Sequence, residues 1–426
     1  MSLSQIPPKG TRDWTPEEFA IRKYIFDTWR QVCTSFGYQE YLTPIVESAD
    51  LYRAKSGDEI GGLELTTFVD RGGRELAIRP EMTPSVSRMV SSSYATEQKP
   101  IRLFSIANFF RNQRPQRGRN REFWQLNYDL FGSDAAEADL EVVLVSLEIM
   151  RAFSPPENSF VVKINNRRLI DAVLSHVGIL PEHTQAVVRV LDKFAKLSEE
   201  SFVQQLSEIG LSQEQAGMLQ KFLSLTDEKD FVNAFPTLSQ DPAFLEISSL
   251  LEQLRTLGYG KEIVFAPDVI RGFDYYDGVV FEVFDLRPDN NRSLFGGGRY
   301  NGLGGLFGVD FPAVGAAPGD ETLRLFLESW GLLDQVTSNV PPLYYAPLLS
   351  WKHAETLQKL VSFLRKEQNM NIVIGFQEQS LSKALSWADK RDARFVILFG
   401  ENEIAKKIYV EKKLEDGSSL EHNIPF

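Results

Sequence analysis

The sequence predicts an α+β protein: an antiparallel sheet flanked by helices, interrupted by a helical insertion and followed by a small α/β domain. Three observations predict it. RLFSIANFFR and FWQLNYDLFG read as two strands joined by a long basic loop, an antiparallel pair. From about 170 to 257 the pattern is mostly helical, and strand-like sequence resumes only at VVFEVF, 279–284, which marks the block as an insertion. Beyond residue 342, LYYAPLL, NIVIGF and RFVILFG alternate with helical segments, and such alternation predicts parallel strands. The expected boundaries are a sheet-rich core over 1–330, a linker over 331–342 that includes the polar QVTSNVPP, and a second domain over 343–426.

Each element has a local reason. Thr15-Pro16-Glu17-Glu18 opens the first helix: Thr15 caps, Pro16 suits the first helical position, and Glu18 completes a capping box. Ile21, Ile25, Trp29, Val32, Cys33 and Phe36 then recur at helical spacing until Gly37. YLTPIVE, LTTFVD and LAIRPE read as short strands, with DRGG at 70–73 as a hairpin turn between the last two. Residues 84–94 and 134–153 read as helices and FVVKIN as a strand. FPAVGAAPG and a helix from about 319 to 330 close the core. No internal repeat or low-complexity tract is present.

A chain of 426 residues, 43% hydrophobic, suggests two or three domains with ample cores. Its formal net charge of -12 argues against nonspecific nucleic-acid binding driven by overall charge, though not against a local basic surface. Residues 341–426 differ, with 12 Lys+Arg against 11 Asp+Glu. The single cysteine, Cys33, excludes an internal disulfide and sits in an apolar helical pattern, so it reads as core. The four histidines have no metal-ligand spacing, so no metal held by protein ligands is expected. No apolar run is long enough to span a membrane, and the N-terminus lacks a signal peptide's apolar core; a cytoplasmic protein with no membrane partner is expected.

Four motifs carry chemistry. In FFRNQRPQRGRNREFWQLN, Arg111, Arg114, Arg117, Arg119 and Arg121 fall within eleven residues, offset only by Glu122. Guanidinium forks bind phosphate oxygens bidentately and stay charged at any working pH. With Arg111 on a strand and the others in a loop, such a hairpin can clamp a nucleotide and touch a nucleic-acid end; a solvated hairpin tip is the plain alternative. VIRGFDYYDGVVFEVF sets Arg271 beside Tyr275 and Tyr276, a fixed cation with two hydroxyl handles, or simply a turn with core aromatics. FGGGRYNGLGGLFG, 295–308, has seven glycines in fourteen residues but not the spacing of a dinucleotide fingerprint, and by itself reads as a flexible loop. ELAIRPEMTP places Glu81 and Thr83 just after a strand, a carboxylate and a hydroxyl able to bind an amine, or an ordinary strand end.

Their joint occurrence and order carry a resemblance. PPKGTRDWTP, FGYQEYLTPIVE around Pro44 (motif 1), AIRPEMTP, FRNQRPQRGRNREFWQ (motif 2), RGFDYYDG, GGGRYNGL and QSLSKALSWADKRDARFVILFGENE resemble the histidyl-tRNA synthetases, class II aminoacyl-tRNA synthetases, over nearly the full chain. The resemblance implies a class II catalytic sheet and a C-terminal anticodon-binding-like α/β domain. It implies activation of L-histidine with ATP, as the Mg2+ complex, to histidyl-adenylate, then transfer to tRNA(His), by a homodimer without a tightly bound cofactor. It gives Arg111 and Arg271 to the reacting carboxylate and α-phosphate, and Arg119 with Gln113 to ATP. Glu81, Met82 and Thr83 fall to the α-amino end of histidine, and Gln125, Asp129, Tyr275 and Tyr276 to the rest of it. The position of the 170–257 block as an insertion, and its lack of pocket-like motifs, lead to the expectation that it assists tRNA acceptor-arm binding and is dispensable for adenylate formation.

Three positions depart from the family pattern. Gln113 stands where a glutamate often follows the motif 2 arginine, and Asp129 replaces a glutamate facing the imidazole. Motif 3, usually Gly-x-Glu-Arg with the arginine on the γ-phosphate, reads Gly319-Asp320-Glu321-Thr322. Arg324, two residues further, lies about 200° round a helix and faces elsewhere. The rival readings are a non-charging paralogue that regulates ATP phosphoribosyltransferase in histidine biosynthesis, a kind that typically lacks the anticodon-binding domain, and a noncatalytic tRNA-binding protein.

Overall fold

The computed structural model describes residues 3–54, 59–270, 275–288, 290, 293–333, 336 and 341–424. Two compact units divide at Asp334/Gln335. In the first, helix α1 (Pro16–Ser35) begins as its sequence dictates. Thr15 Oγ1 accepts from the Glu18 amide, the Glu18 carboxylate accepts from the Thr15 amide, and Gly37 ends the run at φ +81°. Its apolar stripe, including Ile25, Trp29 and Cys33, is buried in the unit's own core, and burial pushes the Cys33 thiol pKa well up.

Strands β1 (Gln39–Glu40) and β2 (Val46–Ser48) and the short helix α2 (Ala49–Arg53) follow. YLTPIVE therefore forms less strand than expected, because residues 41–45 pair with no ladder. β3 (Thr66–Val69) and β4 (Glu75–Ile78) make the predicted hairpin, and the Asp70 carboxylate fixes its turn by accepting from the Gly72 and Arg74 amides at 2.8 and 2.9 Å. β2, β4 and β3 form a small antiparallel sheet.

Helix α3 (Thr83–Ser93) leads to β5 (Ile101–Phe110) and β6 (Glu122–Phe131), which pair antiparallel in register from Ile101↔Phe131 to Phe110↔Glu122. Then come α4 (Ala136–Ala152), β7 (Phe160–Asn166), six helices α5 to α10 between Arg167 and Thr256, and β8 (Ile263–Phe265). β9 (Val279–Asp285), β10 (Ser293–Arg299), β11 (Ala313–Ala316) and α11 (Asp320–Ser329) complete the unit. The main sheet has the order β1-β5-β6-β11-β10-β9-β7-β8, antiparallel throughout except for the parallel outer pairs β1/β5 and β7/β8.

Two expectations change. The glycine run begins as a strand rather than a loop: Gly296, Gly297 and Gly298 lie in β10. Glycine is needed there because a Cβ on Gly297 would sit 2.3 Å from the Gly315 carbonyl and one on Gly298 2.7 Å from that of Val279. The helical block, in turn, is the connection between the parallel strands β7 and β8, and its core is continuous with that of the sheet. Phe231 in α9 (Glu228–Ala234) stacks on Phe244 in α10 (Pro242–Thr256) at 4.5 Å and meets Phe265 of β8 edge-on at 5.9 Å.

The second unit is a five-stranded sheet. Leu343–Ala346 lies parallel to both Asn371–Ile374 and Phe395–Leu398, as the alternating sequence predicts. Ile408–Lys413 and Ser419–Asn423 extend it as an antiparallel hairpin that was not predicted, since IYVEKK and SLEHN are short, carry charged residues and lack a long apolar run. Asp334, Gln335 and residues 337–340 of the expected linker lie outside the described residues.

Candidate active site

The β5–β6 hairpin builds one wall of a cavity of about 140 Å³ lined by Glu81, Thr83, Arg111, Gln125, Asn127, Asp129, Tyr275, Tyr276 and Tyr300, with Gly315–Ala317 at its edge. Arg111 stands one residue past the end of β5 rather than within it, yet its amide still donates to the Arg121 carbonyl at 2.8 Å, so the ladder geometry holds it. Its Nε donates to the Pro80 carbonyl at 3.0 Å, and its guanidinium lies 5.2 Å over the Phe123 ring. Burial lowers its pKa, opposed by the carboxylates of Glu81 and Glu64; an arginine stays charged under either influence.

β6 turns Gln125, Asn127 and Asp129 to the same face, because alternate residues of a strand share one. The Gln125 Nε2 donates to the Ala317 carbonyl at 2.9 Å. Asp129, 2% exposed, accepts from the Tyr300 hydroxyl at 2.5 Å through Oδ1, while its Oδ2 has no hydrogen-bond partner among the described residues. Burial pushes the Asp129 pKa up to about 7, and the Tyr300 hydrogen bond only partly opposes this. Gly315 makes the room: a Cβ there would fall 2.0 Å from the Asp129 carboxylate. Gly298 does the same for Tyr276, whose ring would meet a Cβ at 2.9 Å.

Opposite, Glu81 is 4% exposed and its Oε2 accepts from the Tyr275 hydroxyl at 3.4 Å. Thr83 opens α3 and lines the cavity, whereas Met82 between them is fully buried in the apolar cluster of Val86 and Phe109, where its sulfur accepts from Thr43 at 3.2 Å. The Tyr275 ring lies tilted against Tyr276 at 4.8 Å and edge-on to Tyr300 at 5.7 Å. The cavity therefore pairs a cation with buried carboxylates, amides and aromatic walls.

The arginine loop leaves this wall. Gln113 spans the loop, donating from Nε2 to the Asn120 carbonyl at 2.8 Å, and Arg119 is exposed. Gly118, at φ +75°, passes over α11: a Cβ there would lie 3.2 Å from Leu325 and 3.9 Å from the methyl of Thr322. The Thr322 hydroxyl reaches the Leu294 and Gly319 carbonyls at 2.7 and 3.1 Å. Arg324 pairs with Glu321 and Glu328, as its place on the far side of the helix requires. At the start of α11, Asp320 makes a buried ion pair with Arg22 of α1 at 2.6 Å and accepts from the Trp124 amide at 3.1 Å. Burial raises the Asp320 pKa to about 6.

Of the residues singled out from sequence, Glu81, Thr83, Arg111, Gln125, Asp129, Tyr275 and Tyr276 meet in this one cavity. Met82, Gln113 and Arg119 do not line it. Arg271 and Gly272 lie outside the described residues. Sequence reasoning gave no role to Asn127 or Tyr300. The signal for Asn127 was available, since it lies midway between Gln125 and Asp129 in a strand of period two. Tyr300, just past β10, joins the site because β10 packs closely on β11 and β11 on β6, an approach that Gly297 and Gly315 permit. A groove of about 470 Å³ between α7 (Glu199–Glu208) and α8 (Gln213–Leu223) has two acidic residues, Glu200 and Glu208, but no comparable chemistry.

The family model described as histidyl-tRNA synthetase matches residues 10–323. A histidine–tRNA ligase of Leptospira biflexa is 39% identical over 398 residues, 93% of this chain and 90% of that protein. Among solved structures, a histidyl-tRNA synthetase from Nostoc sp. PCC 7120 superposes with TM-score 0.83 at 21% identity over 99% of this chain and 97% of that one. A Bacillus halodurans protein described as an ATP phosphoribosyltransferase regulatory subunit/histidyl-tRNA synthetase superposes with TM-score 0.76 at 24% identity, over 93% and 99%. At such identities the two structures speak to the fold alone, while the matches in sequence span nearly the whole chain. The chain belongs to the histidyl-tRNA synthetase family.

Proposed function

We propose that the chain is a histidine–tRNA ligase that forms histidyl-adenylate from L-histidine and ATP, then charges tRNA(His). The observation that carries the site assignment is that Arg111 and Asp129 line one small cavity. A carboxylate needs the first and an imidazole N–H the second. In this reading Glu81 and Thr83 hold the α-amino group, Gln125 the amino-acid backbone, and Tyr275 and Tyr276 the sides of the ring. Arg111, with Arg271, holds the histidine carboxylate and the α-phosphate in line for attack. The carboxylate oxygen attacks the α-phosphorus, pyrophosphate leaves, and the growing negative charge is met by fixed guanidinium groups. The 3′-terminal hydroxyl of tRNA then attacks the activated carbonyl and AMP leaves. No side-chain nucleophile is needed.

ATP enters as its Mg2+ complex, with the metal held by phosphates and water rather than by a protein ligand set. Arg119 and the other loop arginines serve the triphosphate and the tRNA acceptor end in place of the arginine that Thr322 lacks, and Gln113 shapes the loop that presents them. The active species is a cytoplasmic homodimer. An apolar surface supports this: Leu42, Ile45, Leu63, Phe68 and Val69 are all exposed on or beside the small β2-β4-β3 sheet, next to Pro44. The five-stranded second unit favours charging over the regulatory role, whose proteins typically lack such a domain. The test is aminoacylation: the purified chain with Mg2+-ATP, labelled histidine and tRNA should yield histidyl-tRNA. A folded chain that charges no tRNA yet stimulates an ATP phosphoribosyltransferase would establish the regulatory reading instead.

A further inference from the structure

The loop between β5 and β6 has a defined internal structure. Gln116 and Arg119 exchange amide-to-carbonyl hydrogen bonds, both of 2.9 Å, and close a tight turn whose Gly118 has φ +75°. Gln113 Nε2 donates to the Asn120 carbonyl at 2.8 Å, and Arg121 Nε reaches back across the base of the loop to the Gln113 carbonyl at 3.1 Å. That base is supported from outside. The segment Pro8–Trp14, ahead of α1, lies against it, and the Gly10 carbonyl accepts from the amides of Arg121 and Glu122 at 2.8 and 3.3 Å. Gly10 has φ +90°, and a Cβ on it would fall 2.7 Å from Arg121 Cγ and 2.9 Å from Cδ, so glycine is what lets the segment pack on that stem.

The segment is tied at its other end as well. The guanidinium carbons of Arg22 and Arg12 lie 3.4 and 4.2 Å from the centroid of the Trp14 ring. Arg22 is the buried partner of Asp320, which also accepts from the Trp124 amide, so α1, α11 and β6 together anchor Trp14. No side chain of residues 8–14 belongs to an apolar core of this unit. What these contacts order is therefore the loop rather than the core. We propose that Gly10 is a positioning residue: through Arg121 it holds the arginine hairpin so that Arg119 meets the triphosphate of ATP already in place, an inference that rests on the ATP reading above. A cation stabilises phosphate charge best when it needs no reorganisation to reach it. The amide and carbonyl of Arg119 are both bound to Gln116, two residues from the clamped base, so a shift at Arg121 is carried to Arg119. Arg111 is held separately, through the Pro80 carbonyl, and neither Gly10 nor Arg121 lines the histidine cavity. Displacing the hairpin should thus weaken the use of ATP and spare that of histidine.

The test measures histidine-dependent pyrophosphate exchange in Gly10→Ala while ATP and histidine are varied in turn. The added methyl group should raise the KM for ATP about ten-fold through misplacement of the hairpin. The KM for histidine should stay within about two-fold of the parent's. The melting temperature should stay near the parent's, because the strain is relieved in a segment outside the core. Residues in contact act non-additively, so Gly10→Ala should cost little more in an Arg121→Ala background, whatever Arg121→Ala costs alone. An unchanged KM for ATP overturns the proposal, as do equal rises in both constants with a fall in melting temperature, which would make the contact structural. Full additivity of the two substitutions overturns it too, since Gly10 would then act by another route. If Gly10→Ala does not fold, Trp14→Leu decides by the same two constants, because it releases the segment without adding bulk at Arg121. A parent that exchanges with histidine while Gly10→Ala keeps its KM for ATP defeats this inference alone; a parent without histidine-dependent exchange defeats the proposed function as well.

Discussion

Asp129 is subject to opposite demands from folding and from binding. Its folded pKa of about 7 lies above the ordinary aspartate value of 3.8, so between those limits the native state holds a proton that the unfolded chain has released. Its contribution to stability therefore falls as pH rises from about 4 to 7, and Asp320, pushed up to about 6, acts with the same sign over 4 to 6. Asp129→Asn should make the melting temperature less dependent on pH in that window. Binding runs the other way: only the carboxylate accepts a ring N–H, so the parent's KM for histidine should fall between pH 6 and 8, and that slope should flatten in Asp129→Asn. A variant with the parent's full slope would place the titration elsewhere. Gly315→Ala forces a methyl group 2.0 Å from the same carboxylate and 2.8 Å from the Tyr128 carbonyl. Overpacking of this kind costs about 1–3 kcal/mol, and exchange should drop about 100-fold because the displaced group is the one facing the ring. A Gly315→Ala protein with wild-type exchange would show that Asp129 is not held where it is needed. At this scale the sequence showed Gln125 and Asp129 through resemblance, but the demand for glycine at 315, on β11, arises from Tyr128 and Asp129 on β6, five strands earlier in the chain, and is invisible until the strands meet.

Among elements, the helical block is the clearest case of a segment whose extent was legible and whose dependence was not. Its helices follow from local periodicity and caps, such as Ser212 with Gln215 at the start of α8. Its attachment follows from side chains far apart in sequence: α10 lays Phe244, Ile247, Leu250, Leu251 and Leu254 into the core it shares with β7 and β8. The shared core argues against the expectation that the block is dispensable for adenylate formation. Deleting 170–257 with a short linker should leave an insoluble or unfolded chain, and loss of the far-ultraviolet spectrum and of exchange should coincide. A soluble deletion variant that exchanges pyrophosphate would contradict the shared core. The block also carries thirteen acidic against six basic residues, a poor surface for a phosphate backbone, so any part it plays in tRNA binding rests on something other than overall charge. Strands β5, β6, β7 and β9 were legible because each has a long apolar or alternating run. β10 was not, because glycines chosen for close sheet approach look like a loop.

For the whole molecule, the division into a large sheet-based unit and a small α/β unit was legible in the change from mixed sequence to strict alternation after residue 342. Assembly was less so. The apolar stripe of α1 is filled by the unit's own core, whereas a group of exposed apolar side chains lies on and beside the small sheet. Sedimentation at micromolar concentration should give about twice the single-chain mass of 48.3 kDa. Changing Leu42 and Phe68 to charged residues should shift it toward the single-chain value; a monomeric parent would refute the dimer. The account depends most on the chemistry assigned to the cavity, and ATP–pyrophosphate exchange tests that without tRNA. The chain should exchange labelled pyrophosphate into ATP with L-histidine and show no exchange above background with the other standard amino acids. A folded, pure chain that gives no exchange with histidine, or equal exchange with another amino acid, would contradict the account.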